Sequence, residues 1–220
     1  MPMESRFAGR LELLERESEL GVVEELVGGV GRGGRLLAIE GPPGIGKTAL
    51  VAEAKVLARA AGLRVLGSRG SDFERSFSYG VVRQLFEPLL ASESADERAG
   101  LMAGAAALAA PVFDPAQVAT EPTADSPLAK LHGLYWLTAN LAERQPLMLA
   151  VDDLQWCDLP SLRWLAYLLP RMEGLEVIVV VGLRPVESGD DQALAGQIVS
   201  DPLATAIRPA ALTVEATTRL

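Results

Sequence analysis

The sequence predicts an α/β fold: a three-layer sandwich whose mainly parallel five-stranded sheet carries helices on both faces. Two patterns carry that expectation. Strand-like runs at 35–40, 63–67, 147–151, 177–181 and 204–207 are separated by segments that include helical apolar spacing, the alternation that parallel crossover units produce. Two of the runs, Leu147-Met148-Leu149-Ala150-Val151 and Val177-Ile178-Val179-Val180-Val181, are apolar at every position, as strands buried on both faces must be. With 220 residues, 49% of them hydrophobic and 22% charged, the chain is long enough for one substantial core.

In chain order, residues 16–30 place Leu20, Val23, Val27 and Val30 at three- and four-residue spacings, and the helix closes in Gly31-Arg32-Gly33-Gly34. Arg35-Leu36-Leu37-Ala38-Ile39-Glu40 is the first strand, and a helix opens near Lys47 and continues through Ala49–Ala58. Gly62 stops that helix, and Leu63–Gly67 is the second strand. Helices are expected over 79–91 and 95–109, then a surface loop from Pro111 to Pro127, where Pro, Asp and Thr accumulate without periodicity. Ser126-Pro127 reads as an N-cap followed by proline at the first helical position, opening a helix through Leu131, Leu134, Leu137 and Leu141. After the strand at 147–151 come a helix at 159–169, the strand at 177–181 and a short strand at 204–207. Thr213 is a good N-cap, and 214–220 reads as the first two turns of a helix, a length that is marginal in water by itself. The expectation is therefore a chain cut where a new element begins.

The chemistry concentrates between the first strand and the helix that follows it. Gly41-Pro42-Pro43-Gly44-Ile45-Gly46-Lys47-Thr48 is a complete phosphate-binding loop, G-x-x-x-x-G-K-[ST], in the strand–loop–helix context that the pattern requires. A polyanion has to be wrapped by backbone N–H groups, so glycines stand where a Cβ would block close approach or forbid a positive φ. The backbone from Gly41 through Pro42, Pro43, Gly44, Ile45, Gly46, Lys47 and Thr48 to Ala49 is expected to hold the phosphates of ATP. Lys47 brings a charge to the β- and γ-phosphates, and the Thr48 hydroxyl is placed to ligate Mg²⁺. The fold is thereby narrowed to the sandwich of P-loop NTPases.

Asp152 and Asp153 directly follow the apolar strand 147–151, the pattern of a Walker B element. Mg²⁺ takes hard oxygen ligands and keeps several waters, so Asp152 is assigned to its shell, largely through water. Asp153 is the candidate for polarising the attacking water. Arg184 lies just past the strand 177–181 and is expected near the γ-phosphate, where it would distinguish ATP from ADP. Gln155 is a candidate for orienting water, Trp156 and Cys157 for packing, and Asp158 for capping the next helix. His132 has no partner histidine and no cysteine pair, so no metal role is assigned to it.

Composition excludes several classes. A formal net charge of −9 disfavours a nonspecific grip on DNA or on an anionic membrane by this chain. The single cysteine, Cys157, rules out an intramolecular disulfide and fits a reducing compartment. No run reaches the roughly 18–20 apolar residues of a membrane span, and the N-terminus lacks the pattern of a signal peptide. The expected location is cytoplasmic.

Together, the phosphate loop, Leu149-Ala150-Val151-Asp152-Asp153-Leu154-Gln155-Trp156-Cys157-Asp158, the Leu131–Leu137 run and Gly182-Leu183-Arg184-Pro185 resemble the ATPase domain of large ATP-binding LuxR-type transcriptional regulators, AAA-like signal-transduction NTPases with numerous domains. Phe77-Ser78-Tyr79-Gly80-Val81-Val82-Arg83-Gln84-Leu85 and Leu14-Glu15-Arg16-Glu17-Ser18-Glu19-Leu20 add to the match, although Glu15 departs from the commoner Gly-Arg opening. The resemblance implies a nucleotide-operated switch. ATP favours an oligomerising active state, a nucleotide-dependent homo-oligomer, and slow hydrolysis to ADP resets it. It also implies the organisation: residues 1–34 as an N-terminal helix and linker leading into the core, 35–209 as the AAA-like ATPase core, and 210–220 as the start of a truncated lid helix. Effector-sensing repeats and a DNA-binding helix-turn-helix would follow, so direct DNA binding is not expected of this chain. Two other readings stand beside it. One is an AAA-type ATPase whose turnover matters in itself, or an ATPase module attached to a cyclase or kinase domain; the other is a nucleotide-free interaction domain, against which Lys47, Thr48 and Asp152 argue.

Overall fold

The computed structural model describes residues 13–114, 126–185 and 190–219. Five strands, β1 (Arg35–Glu40), β2 (Arg64–Arg69), β3 (Leu147–Asp152), β4 (Val177–Leu183) and β5 (Ala204–Ile207), form one sheet in the order β2-β3-β4-β1-β5. Every pairing is parallel. All five strands therefore end on the same edge, which is where open parallel sheets carry their ligands. The register sets Arg69 opposite Asp152 and Ile39 opposite Gly182, so the ends of β2, β3, β4 and β1 stand side by side.

The helices are α1 (Glu17–Gly28), α2 (Lys47–Ala60), α3 (Gly80–Ser92), α4 (Ala95–Leu101), α5 (Ala110–Phe113), α6 (Pro127–Arg144), α7 (Leu159–Leu168), α8 (Asp190–Val199) and α9 (Val214–Thr217). The alternation of side chains along each strand divides them into two layers. Leu36, Leu149, Val151, Val179 and Val181 point into a large cluster with α3, α6, α7 and α8. Leu37, Ile39, Met148, Ala150, Ile178 and Val180 point the other way, onto Leu50, Val51, Ala54 and Ala58 of α2 and onto Val23 and Val27 of α1. The continuous apolar runs of β3 and β4 are buried at every position, as their sequences require. The three-layer sandwich is the fold expected, with a sheet that is wholly parallel.

Local chemistry explains several helix starts. Ser126 accepts a hydrogen bond from Ala129 N with Pro127 in the first turn, and Ser94 and Glu97 form a reciprocal capping box on α4. Four expectations need correction. The helix expected over 95–109 stops at Leu101; Gly104 turns into the left-handed region at φ 62°, and Gly104–Ala109 continues as a 3₁₀ segment. Pro111 does not open a loop but sits in the first turn of α5, where its missing N–H costs nothing; residues 115–125 of the expected loop lie outside the described residues. Helix α8 was not expected, because its buried Ala195 and Ile198 leave little periodic signal. Helix α9 is a single turn ending at Thr217, and Leu220 is outside the described residues.

The 3₁₀ segment runs so close to α6 that a Cβ on Gly133 would lie 2.3 Å from Ala109 N and 2.6 Å from Leu108 C. Gly133→Ala is expected to force this backbone apart and to lower stability by about 1–3 kcal/mol, read from the midpoint of a urea titration at unchanged slope.

Candidate functional site

The loop between β1 and α2 has the backbone its glycines allow. Gly44 and Gly46 adopt φ of 79° and 99°, and a Cβ on Gly41 would sit 2.8 Å from Ile45 Cγ2. Gly46 is the N-cap of α2 and offers no side-chain cap, so the first N–H groups of that 14-residue helix keep their donor capacity for an anion. Lys47 is 7% exposed and arches back over the loop, donating from Nζ to Gly41 O and Pro42 O, both at 2.8 Å. Burial holds its ammonium below the ordinary lysine value; the Asp153 charge opposes that shift, and Arg184 adds to it.

The acidic pair meets this loop from β3. Thr48 Oγ1 donates to Asp152 Oδ2 at 2.8 Å, and the backbone N of Asp153 donates to Asp152 Oδ1 at 3.0 Å. Gly182 on β4 leaves room for that carboxylate, since a Cβ there would come within 2.6 Å of Asp152 Oδ1. Asp153 adopts a left-handed backbone, φ 54°, which turns its side chain away from the direction of the strand. Its Oδ2 accepts from Arg69 Nε at 2.9 Å and pairs with Arg69 Nη2 at 2.7 Å, while Oδ1 accepts from Gln155 Nε2 at 3.0 Å. Both carboxylate oxygens are thus engaged. Gln155 Oε1 in turn accepts from the backbone N of Arg184 at 3.1 Å.

Arg184 is exposed, with its guanidinium 6.0 Å from the centroid of Trp156, and Arg75 lies 5.6 Å from the same ring. Asp158 does more than cap α7 through Ser161 N: it also accepts from Tyr79 N and Val81 N, so one buried carboxylate fixes the start of α3 as well. His132 is packed in an aromatic cluster, hydrogen-bonded to Tyr167 and to Trp136.

A cleft of about 480 Å³ opens beside the phosphate loop, between Pro43–Gly46 with Ala49 and Leu50 on one side and Leu13, Leu14, Arg16, Ala211, Leu212 and Thr217 on the other. Arg16, 5% exposed, spans it: Nη2 donates to Ile45 O of the loop at 3.2 Å and to Ala210 O at 2.8 Å. Glu15 has φ 56°, a conformation glycine adopts more readily, and its carboxylate accepts from both Thr213 N at 2.8 Å and Thr213 Oγ1 at 2.5 Å. The Thr213 hydroxyl bond, then the backbone bond, hold the Glu15 carboxyl below its ordinary value. The sequence reading missed Arg69, the Arg16 bridge and the Glu15–Thr213 contact, because each joins segments distant in the chain. The one signal for Arg69 was its place at the end of β2, which only the strand order sets beside β3.

A parallel sheet with a glycine-rich loop and an uncapped helix at its carboxyl edge, facing a threonine–aspartate pair, defines a P-loop nucleotide-binding protein. The chain belongs to the AAA ATPase domain family, which matches it over residues 12–181. No curated protein matches the chain. Among solved structures it is similar to Cdc6p from Pyrobaculum aerophilum, with 16% identity and a TM-score of 0.54, over 97% of this chain and 49% of that one. It is also similar to the Aeropyrum pernix ORC2 protein, solved as ADPNP and ADP complexes, with 17% identity and a TM-score of 0.49 over 94% of this chain and 50% of the other. The chain spans about half the length of these two structures. Among the described residues, no helix is long and apolar enough to cross a membrane.

Cys157 follows the acidic pair and is buried, and burial pushes its thiol well above the usual range, with Asp158 and Asp153 adding to the shift. The folded state therefore keeps its proton where the unfolded chain has lost it. The resulting contribution to stability is present below the ordinary thiol pKa and is lost as pH rises through the higher folded value. In the native protein the thiol is expected to react with an aromatic disulfide reagent at least about a hundredfold more slowly than in urea at the same pH.

Proposed function

We propose that this AAA ATPase domain is an ATP-binding, slowly hydrolysing switch module of the LuxR-type regulator kind, and that Lys47, Thr48, Asp152, Asp153 and Arg184 form its working site. The observation that carries this reading is the Arg16 bridge. One guanidinium nitrogen holds both the phosphate loop, at Ile45 O, and the segment leading to α9, at Ala210 O. Loop rearrangement on nucleotide binding is thereby felt directly at the C-terminal segment, as a switch requires.

In this reading the entering triphosphate replaces the loop carbonyls as the partner of Lys47 Nζ, and the backbone from Gly41 to Ala49 wraps its phosphates. The base occupies the apolar cleft between Ile45 and Leu212. Thr48 Oγ1 and Asp152 Oδ2, 2.8 Å apart and both hard oxygen donors, fit Mg²⁺ and are the residues that would hold it. Mg²⁺ bound there supplies charge that screens the β- and γ-phosphates. Asp153 polarises water only after its Oδ2 is released from Arg69, with Oδ1 kept on Gln155, which supports slow rather than rapid turnover. Arg184 turns from Trp156 toward the γ-phosphate. ADP is the product, and nucleotide-dependent self-association is the output. DNA contact is assigned to other segments, on the strength of this chain's net charge of −9, and the location proposed is cytoplasmic.

Equilibrium titration with Mg-ATP and Mg-ADP tests the proposal. Lys47→Ala is expected to weaken triphosphate binding by about a hundredfold or more with an unchanged circular-dichroism spectrum. Asp152→Ala is expected to abolish the gain in affinity that Mg²⁺ confers while leaving metal-free binding within about threefold of the parent. A folded parent chain that binds neither nucleotide would overturn the reading. Glu15→Gln is expected to loosen the Thr213 contact and to raise amide exchange at 213–217, measured by mass spectrometry with and without Mg-ATP.

A further inference from the structure

Gln155 is 5% exposed, and its amide is used at both ends: Nε2 donates to Asp153 Oδ1 at 3.0 Å and Oε1 accepts from Arg184 N at 3.1 Å. Its orientation is forced by chemistry. A backbone N–H can only donate, so the amide oxygen must face Arg184, and the amide NH₂ must then face the Asp153 carboxylate. An amide taken out of water keeps such bonds because losing either one leaves a buried polar group unpaired. We propose that Gln155 is a positioning residue that locks Asp153, after β3, to the backbone of Arg184, after β4, so that the water-polarising carboxylate and the γ-phosphate-reading arginine move as one unit.

The proposal rests on the roles of Asp153 and Arg184 given above, and it adds the element that makes them interdependent. Among the described residues, no other side chain is hydrogen-bonded to both. Asp153 is otherwise tied to Arg69 on β2, and the Arg184 guanidinium, 6.0 Å from the Trp156 ring, meets the turn after β3 without bonding Asp153. The sheet hydrogen bonds do not substitute for it, since the paired register of β3 with β4 ends at Val151 and Val181. Asp153 and Arg184 lie beyond that limit, and the Gln155 amide spans the gap.

The test uses three substitutions in the 220-residue chain. Gln155→Met fills the space and makes neither bond; Gln155→Glu keeps the acceptor toward Arg184 and sets a second carboxylate against Asp153; Gln155→His, when neutral, offers one donor and one acceptor on its two ring nitrogens, either side of Cε1. The readouts are kcat and KM for Mg-ATP hydrolysis and the ratio of Mg-ADP to Mg-ATP dissociation constants, which needs no turnover. For Gln155→Met the expected result is a kcat lowered about tenfold or more, with the dissociation-constant ratio falling to near one and KM rising only by the lost preference for Mg-ATP. Mg-ADP affinity should stay within about threefold, because Lys47, Thr48 and Asp152 are untouched. Gln155→Glu should lower kcat as far as Gln155→Met while retaining most of the ratio, and Gln155→His should restore both. General damage to packing would instead weaken ADP and ATP binding alike, and His would not restore them. A Met variant with the parent's kcat and ratio, Met and His variants that behave identically, or a parent chain that binds both nucleotides equally tightly would overturn the proposal. Asp153→Asn that hydrolyses ATP at the parent's rate would sink the role of Asp153 itself, whereas the dissociation-constant ratio still reads the hold of Gln155 on Arg184.

Discussion

A polyanion can be held by backbone only if the backbone is not already satisfied, and the architecture of this chain follows from keeping that capacity open at one place. The loop before α2 adopts left-handed turns at Gly44 and Gly46 and leaves the helix start without a side-chain cap. Such an arrangement has little stability by itself, because unsatisfied donors and glycine conformational entropy both count against it. Its surroundings supply the rest. The apolar residues of β1 and α2 anchor both ends of the loop, Lys47 bridges its carbonyls, and Thr48 fastens it to Asp152 on a strand two places away in the sheet. Because β4 lies between β1 and β3, that last bond also requires a glycine at position 182, where any side chain would collide with the carboxylate.

The acidic turn after β3 serves several elements at once. Over seven residues, Asp152 to Asp158, it meets the phosphate loop, the end of β2, the end of β4 and the starts of α3 and α7. The left-handed backbone at Asp153 makes this possible, since it directs the carboxylates of Asp152 and Asp153 to different partners. Strain of that kind is kept where surrounding bonds over-determine the geometry. Here they do, with two bonds on the Asp152 carboxylate and three contacts on the Asp153 carboxylate.

What was legible in the sequence is what physical chemistry demands locally. Phosphate binding requires glycines, a lysine and a hydroxyl in fixed order, so Gly41–Thr48 could be read directly. Strands buried on both faces must be apolar throughout, so β3 and β4 could be read as well, and the acid ending β3 followed from them. Contacts that depend on strand order could not be read. Arg69 and Asp153 are 84 residues apart and become neighbours only because β2 pairs with β3. Gln155 was visible as a polar residue near the site, but its burial and its bond to the Arg184 backbone depend on how β4 ends. The break at Leu101 was hidden because Gly104 is one glycine in an alanine-rich stretch, and composition does not reveal a positive φ. Glu15 is the converse case: it departs from the commoner glycine at a position where the backbone is left-handed, and its carboxylate bonds Thr213 in a way glycine could not.

The meeting of residues 13–16 with 210–217 gives the cleft beside the phosphate loop a mechanical character. Arg16 and Glu15 stitch the two segments to each other and to the phosphate loop through a few hydrogen bonds aligned across the opening. Tension applied along the polypeptide at these two points would load those bonds before it reached the sheet, whose strands share their load along parallel ladders. Opposing pulls on the two segments would thus act as an antagonist of the nucleotide, and a bound nucleotide would act as a brace against them. Opening the cleft therefore costs a few aligned hydrogen bonds rather than any strand of the sheet.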